Sequence, residues 1–494
     1  MSKRIIQDLS SASPWANRLI VLLFLLSLAA GSVGAGALVK LGYPLGAICL
    51  AVMLSTRDPA GYVRLLLWSM FVTPGLRHYI EWHTGFSRSD PIMLTSYLIV
   101  FASLPSVLLH LLNGRRHTFE FLTLILLILA GTGIALISGD VFGALQTAAA
   151  WLVPPLLGVY LCSQANSLPR IRRSVLSTFM LGLPVLSIYG IIQFVDIQPW
   201  DIYYMKMAPI NSIGYPVPFQ VRVFGLSNVP GILAATLSTG ILLLLPQIKG
   251  LRWLIILVSA PALLLTTQRA AMTALVLAIL VIIMIGRDKK LVANVGKAVV
   301  GIVGMTGLLF ALPGAAKKIT GVANSLANLQ QDGSAQARWD QYEHLFALLD
   351  ANKIGRGLAW ETNSANILVG SSFTVDSGLI DIFLGLGVLG GTLFLVVLLA
   401  LLLNGFRICL RCGAGAVAEF AGAVFGVAQL PMGSQHVGEP GIFIFLCIGL
   451  LLARSMSPQA TTQTLRTQSQ SMQDLLRMNH GSSSQSSLSV NLQN

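Results

Sequence analysis

Hydrophobic runs dominate this chain, and polar residues interrupt them at short intervals. From Leu19 to Ala453 apolar stretches of about 20 residues recur, each long enough as a helix to cross a hydrocarbon core of roughly 30 Å. Taken in order, they predict about fourteen crossings, centred near residues 27, 48, 68, 102, 128, 152, 185, 235, 259, 278, 303, 391, 422 and 446. The fold class that follows is all-α: a polytopic integral membrane protein of about 12–14 transmembrane helices with a long, partly helical periplasmic loop. The first run begins after a polar, basic start, but it extends from Leu19 beyond Leu38 and many spans follow it. It reads as a first helix and not as a cleaved signal peptide.

The charges between the runs orient them. With a cytoplasmic N-terminus, the inner loops hold Arg57 and Arg64, Arg115 and Arg116, Arg170, Arg172 and Arg173, Lys249 and Arg252, Arg287 to Lys290, and Arg407 and Arg411. Every clear basic cluster then lies inside, as the positive-inside rule requires, and both termini are cytoplasmic. The same assignment leaves three long polar segments outside: Gly75 to Asp90, Asp196 to Arg222, and Ala315 to Asp376. Loops beyond about 12–15 residues usually carry function or are disordered. In the longest, Arg338, Trp339, Tyr342, Leu345, Phe346 and Leu349 recur at spacings that suit an amphipathic helix along the membrane surface. After Ala453 the chain turns rich in Ser and Gln, with too few apolar residues for a core. The organisation expected is a cytoplasmic N-terminus (1–18), one membrane domain (19–453, with its large outer loop at about 315–376) and a disordered cytoplasmic tail (454–494).

Composition narrows the class further. Hydrophobic residues make up 54% and charged residues 10%, with a mean hydropathy of +0.75. A soluble chain carries about a quarter charged residues, so a water-soluble fold is excluded. The net charge of +13 would point to nucleic acid in a soluble protein. Here the basic residues sit in short loops between apolar spans and set topology, so no nucleic-acid partner is implied. The five cysteines, Cys49, Cys162, Cys409, Cys412 and Cys447, avoid the outer loops and imply no disulfide framework. Cys409-x-x-Cys412 lacks a second ligand pair nearby, which argues against a zinc or redox site.

Few residues are equipped for chemistry. The stretch from Trp253 to Gly286 is apolar except for Gln268 and Arg269, yet as one helix it would be roughly 50 Å long at about 1.5 Å per residue. It must break, and Thr266-Thr267-Gln268-Arg269 is the place, which leaves Arg269 recessed near the outer face. A guanidinium at that depth needs a partner; the plain alternative is an interfacial arginine reaching lipid phosphate. Arg222 precedes Val223-Phe224-Gly225-Leu226-Ser227-Asn228-Val229-Pro230-Gly231, where Gly and Pro inside an apolar span suggest an irregular helix start lining a cavity. It too reads alternatively as a membrane anchor. Two arginines from separate outer segments suit a diphosphate, because the guanidinium fork binds phosphate oxygens bidentately and never deprotonates.

At the close of the long loop stands Asp376-Ser377, followed by nine residues and then Gly387-Val388-Leu389-Gly390. This pattern resembles that of the O-antigen ligase and polymerase superfamily, whose ligases carry His followed by Asn, Ser or Gln, nine residues and Gly-x-x-Gly. This chain has Asp where a ligase has His. Upstream features resemble the superfamily in order: Arg222-x-x-Gly225 before an irregular span, Thr267-Gln268-Arg269-Ala270, and Arg338 before Gly355-x-Gly357. The resemblance covers roughly residues 220 to 400; the first half matches only in hydropathy and span count.

The resemblance implies a bacterial inner-membrane enzyme whose substrates are undecaprenyl-diphosphate-linked oligosaccharides on the periplasmic side. The expected reaction moves a growing glycan to a sugar hydroxyl of another lipid-linked repeat unit and releases the lipid diphosphate, building exopolysaccharide or O-antigen. Membrane lipid, a flippase and a chain-length regulator are the partners it implies. No metal or other cofactor is required, since Arg222 and Arg269 can stabilise the charge that develops on the departing diphosphate. Asp376 is placed to accept the proton of the attacking hydroxyl, although an Asp-Ser pair before a helix is also a good N-cap. Arg338 is a glycan-binding candidate that can equally pair with Asp340. Trp82, Trp200, Trp339 and Trp360 fall in outer segments, and Trp200 and Trp339 in particular offer sugar platforms or, alternatively, belong to an aromatic belt at the headgroups. His78, His83 and His436 are also outside, without metal-ligand spacing, and read as surface or substrate-contact residues at best.

Two other functions remain open. A ligase moving finished glycan onto lipid A core or protein is disfavoured by Asp376. A lipid-linked oligosaccharide transporter predicts charged pairs at mid-span or inverted repeats, whereas Lys297, Asp381 and Glu419 form no obvious relay.

Overall fold

The computed structural model describes residues 13–137, 141–208, 210–249, 252–311, 314, 316, 320–321, 336, 339–343, 353–359 and 377–457. Each hydrophobic run folds as helix: α1 Pro14–Ser32, α2 Gly36–Arg57, α3 Pro59–Thr84, α4 Thr95–Phe101 with α5 Leu104–Leu112, α6 Thr118–Ile137, α7 Val141–Ser163, α8 Leu168–Val195, α10 Pro230–Leu244, α11 Trp253–Leu265, α12 Arg269–Ile285, α13 Lys289–Leu309, α14 Gly378–Arg411, α15 Ala414–Val427 and α16 Gly438–Met456. A short helix, α9 Pro199–Met207, lies between α8 and α10. Ten helical segments among the described residues are long and apolar enough to cross a membrane, and α11 and α12 are shorter apolar helices. In hydrocarbon a backbone must satisfy its own polar groups, and the helix does so within one segment. The protein is an all-α, multi-pass membrane protein.

The bundle is built around α16, which packs on α7, α15, α14 and α10. Its contact with α7 is close because glycine faces glycine: a Cβ on Gly449 would lie 3.2 Å from the Gly158 Cα and 3.0 Å from the Leu161 Cβ. Small residues allow such approach between membrane helices, where packing and not the hydrophobic effect drives association. The helix start at α3 shows the local logic. Pro59 occupies the first turn, and the Asp58 carboxylate accepts from Gly61 N at 3.1 Å.

Polar contacts tie the helices together at both ends of the bundle. At the basic end, Glu419 of α15 accepts from Arg172 of α8 at 2.6 Å and from Arg454 of α16 at 2.7 Å. At the opposite end, Val223 N donates to Leu265 O at 3.1 Å, and His436 faces Gly378.

The expectation that residues 75–90 form an outer loop needs correction. Helix α3 continues through Thr84, because its polar residues are paired within the fold: Arg77 with Glu81 at 2.9 Å, and His78 with Asp201 at 3.1 Å. His78 is fully buried, and His436 is 3% exposed, so neither is the surface residue expected from the sequence. Most of the long segment 315–376, including the greater part of the expected amphipathic helix, lies outside the described residues, as does the chain beyond residue 457.

Candidate functional site

The predicted break in the long apolar stretch is present. Helix α11 ends at Leu265, Thr267 adopts a left-handed φ of 53°, and α12 begins with Arg269. The turn is held by side chains, with Thr266 Oγ1 donating to Leu263 O at 2.6 Å and accepting from Gln268 N at 3.3 Å. Threonine avoids positive φ unless its surroundings compensate. Here the compensation comes from Arg222, whose Nε donates to Thr267 Oγ1 at 2.6 Å and whose Nη2 donates to Thr267 O at 3.2 Å.

Arg222 stands on the irregular segment before α10. Arg222 N donates to Ile213 O at 3.0 Å, while Gly214 and Val221 form an antiparallel bridge. The segment then turns at Gly225, which has φ 60°. Gln193, fully buried on α8, fixes that turn with one amide group. Its Oε1 accepts from Phe224 N at 3.1 Å and Gly225 N at 2.9 Å, while its Nε2 donates to Gly225 O at 3.3 Å and Asp201 Oδ2 at 2.7 Å. Asp201 also accepts from Tyr189 at 2.8 Å and faces His78 Nδ1. The other nitrogen of His78 lies 3.3 Å from Asn228 Oδ1. A buried carboxylate surrounded by donors makes a rigid support for the loop.

The result brings Arg222 and Arg269 together. Burial, and after it the neighbouring Arg269 charge, push the Arg222 guanidinium below its ordinary value. Arg222 is thus anchored at the turn that leads into the N-terminus of α12, an end whose dipole favours negative charge.

Of the other sequence candidates, Asp376, Arg338 and Trp360 lie outside the described residues. Trp200 donates its indole N–H to the Tyr189 hydroxyl at 2.7 Å and packs edge-on against Tyr79 and Trp82. It joins an aromatic cluster attached to the Asp201 network. Trp339 is 72% exposed on a separate helical turn. One turn further, Tyr342 donates to Pro431 O at 2.9 Å and shares a hydrogen bond of 2.7 Å with Ser377. Ser377 caps α14 by accepting from Ile380 N.

The glycine motifs have a packing role that the sequence did not disclose. Helix α14 breaks at Gly387, with φ 74°, and residues 353–358 dock against the break. Val388 N donates to Lys353 O at 3.2 Å, Arg356 N to Leu384 O at 2.8 Å and Gly357 N to Gly385 O at 3.2 Å. A Cβ on Gly355 would collide with Gly387 N, and one on Gly387 would collide with the Ile354 carbonyl carbon. Glycine permits backbone to touch backbone here, so residues 353–358 are riveted to the broken helix.

Residues 254–395 match the family model described as O-antigen ligase. Through this region the chain is similar to the O-antigen ligase and polymerase superfamily. No curated protein matches the sequence. The matched region spans the Thr267 turn, Ser377 and the Gly387 break, whereas Arg222 lies upstream of it and reaches it through Thr267. The match points in general to ligase- or polymerase-type glycan processing.

Sequence reasoning missed Gln193, Asp201 and Asn228, and it misjudged His78 and His436. A glutamine inside an apolar span was a usable signal for the first of these. For the others there was none, because their partners come from distant segments.

Proposed function

We propose that this protein polymerises undecaprenyl-diphosphate-linked oligosaccharide repeat units into exopolysaccharide or O-antigen at the periplasmic face of the inner membrane. The observation that carries this reading is the hydrogen bonding of Arg222 to Thr267, two residues ahead of Arg269, at a helix break. Paired guanidinium groups in a site partly removed from water stabilise the charge that builds on a departing diphosphate, with no reorganisation at the moment of bond breaking. Asp376, one residue ahead of the Ser377 cap, is assigned to the acceptor hydroxyl, where a carboxylate polarises the O–H bond and helps draw off its proton. Trp200, Trp339 and Arg338 are assigned to the glycan, and a flippase and a chain-length regulator to the protein's surroundings.

The test supplies the membrane-embedded protein with lipid-linked repeat units, alone or together with lipid A core. A ladder of glycan lengths from repeat units alone is the expected result. Glycan transferred only to lipid A core, with no ladder, would establish a ligase and overturn the polymerase reading.

A further inference from the structure

Helices α1, α3 and α8 run parallel, with their N-termini at one end of the bundle. Near that end Arg64 of α3 donates to Asn17 Oδ1 of α1 at 2.5 Å and to Ser177 Oγ of α8 at 2.7 Å. Further along, Ile80 of α3 packs on Gly31 of α1, and Phe71 of α3 on Gly182 of α8. Between the three helices lies a groove of about 420 Å³, within the usual size of a small-molecule site. Asn17, Arg64 and Ser177 line it near the helix starts, while Val21, Val72 and Leu181 line it deeper in. From Arg64 to Val72 is about 12 Å along the helix axis. Val21 and Leu181 are half-exposed, so the groove opens sideways on the outer surface of the bundle, where lipid lies. We propose that it binds one anionic phospholipid, with the headgroup phosphate at Arg64 and an acyl chain along the apolar floor.

Charge decides the occupant. Arg64 is a buried guanidinium more than one turn inside α3, and Arg173, exposed one turn ahead of Ser177 on α8, adds a second positive charge above the same end. The acid beside them is Asp58, which is 6% exposed and accepts from Ser13 N at 3.0 Å, Ser13 Oγ at 2.8 Å and Gly61 N at 3.1 Å. One carboxylate, engaged in capping, stands against two guanidinium groups, and the positive ends of three parallel helix dipoles point the same way. Basic pockets between membrane helices suit acidic headgroups for this reason. The proposed donor site is at the other end of the bundle. His78, fourteen residues beyond Arg64 on α3 and so about 21 Å along its axis, faces Asn228 in the segment that follows Arg222. A phosphate at Arg64 therefore belongs to a different lipid from the one whose diphosphate Arg222 is proposed to hold. It comes from the leaflet at the basic end, the inner one in the topology that the basic clusters predict.

The test titrates the purified full-length protein in detergent with phosphatidylglycerol or with phosphatidylcholine of the same acyl chains, and reads bound lipid by native mass spectrometry. Each basic side chain beside an anionic headgroup adds about fivefold in affinity. One retained phosphatidylglycerol, bound about tenfold or more tightly than phosphatidylcholine, is therefore expected. Arg173→Gln should cost about fivefold for phosphatidylglycerol and leave phosphatidylcholine within about twofold. Leu181→Trp fills the groove from a half-exposed position and should weaken both lipids by about tenfold or more. Arg64→Gln should remove the headgroup preference. If the loss of its bonds to Asn17 and Ser177 keeps that variant from accumulating, Arg173→Gln and Leu181→Trp decide. A smaller preference in wild type, an undiminished one in Arg173→Gln, or wild-type lipid binding by Leu181→Trp overturns the proposal. Undecaprenyl phosphate that binds more tightly than phosphatidylglycerol and is lost in Leu181→Trp overturns it too, by giving the groove to the isoprenoid carrier. None of these outcomes bears on the polymerase reading, which stands or falls with the glycan ladder.

Discussion

Arg222 and Thr267 are separated by 45 residues and joined by two hydrogen bonds, one of 2.6 Å from Nε to the hydroxyl and one of 3.2 Å from Nη2 to the carbonyl. The pair fastens the irregular segment before α10 to the break between α11 and α12. It also brings Arg269, two residues beyond Thr267, next to a second positive charge.

Arg222→Ala and Arg269→Ala are each expected to reduce polymer by about 100-fold or more, the scale of losing a preorganised charge-stabilising donor. Arg→Lys should also be poor, since a point charge cannot reproduce the fork. Arg222→Ala additionally frees Thr267 from its compensating contacts, so protein level in the membrane must be measured beside the glycan ladder. Normal ladders from both Lys variants would remove the clamp.

Asp376 distinguishes chemistry from helix capping. Asn caps a helix about as well as Asp but cannot take a proton. Asp376→Asn is therefore expected to leave single repeat units unextended at normal protein level. A full-length ladder from this variant would reduce Asp376 to a cap.

Gln193 should matter to both stability and polymer formation, although nothing places it against substrate. Gln193→Leu leaves the buried Phe224 and Gly225 N–H groups without acceptors, at a cost of about 1–3 kcal/mol for each group. A lower Tm in detergent and a shortened or absent ladder are expected together. An unchanged Tm with normal polymer would show that the turn holds Arg222 without the amide.

The membrane orientation is testable in intact cells. Cysteines introduced at Ser484 and Gly333 should respond oppositely to an impermeant thiol reagent, with Gly333→Cys modified and Ser484→Cys protected. The reverse pattern would invert the topology drawn from the basic clusters.

The sequence by itself determined the membrane class, the positions of ten of the expected spans, and the break at residues 266–269. Each depends on local quantities: the length of an apolar run, the cost of a recessed guanidinium, and the reach of 1.5 Å per residue. It also marked Arg222 and Arg269 as unusual. Only the tertiary structure decided that Arg222 is fastened to the turn just before Arg269, that α3 carries its charged residues on through Thr84, and that His78 and His436 are buried. It also showed that Gly355 and Gly387 are complementary halves of one backbone contact. The reason is physical. Polar residues in an apolar bundle are satisfied by partners far away in sequence, as Gln193 is by Gly225 and His78 by Asp201, and no periodicity along one chain segment encodes which distant donor will meet which acceptor.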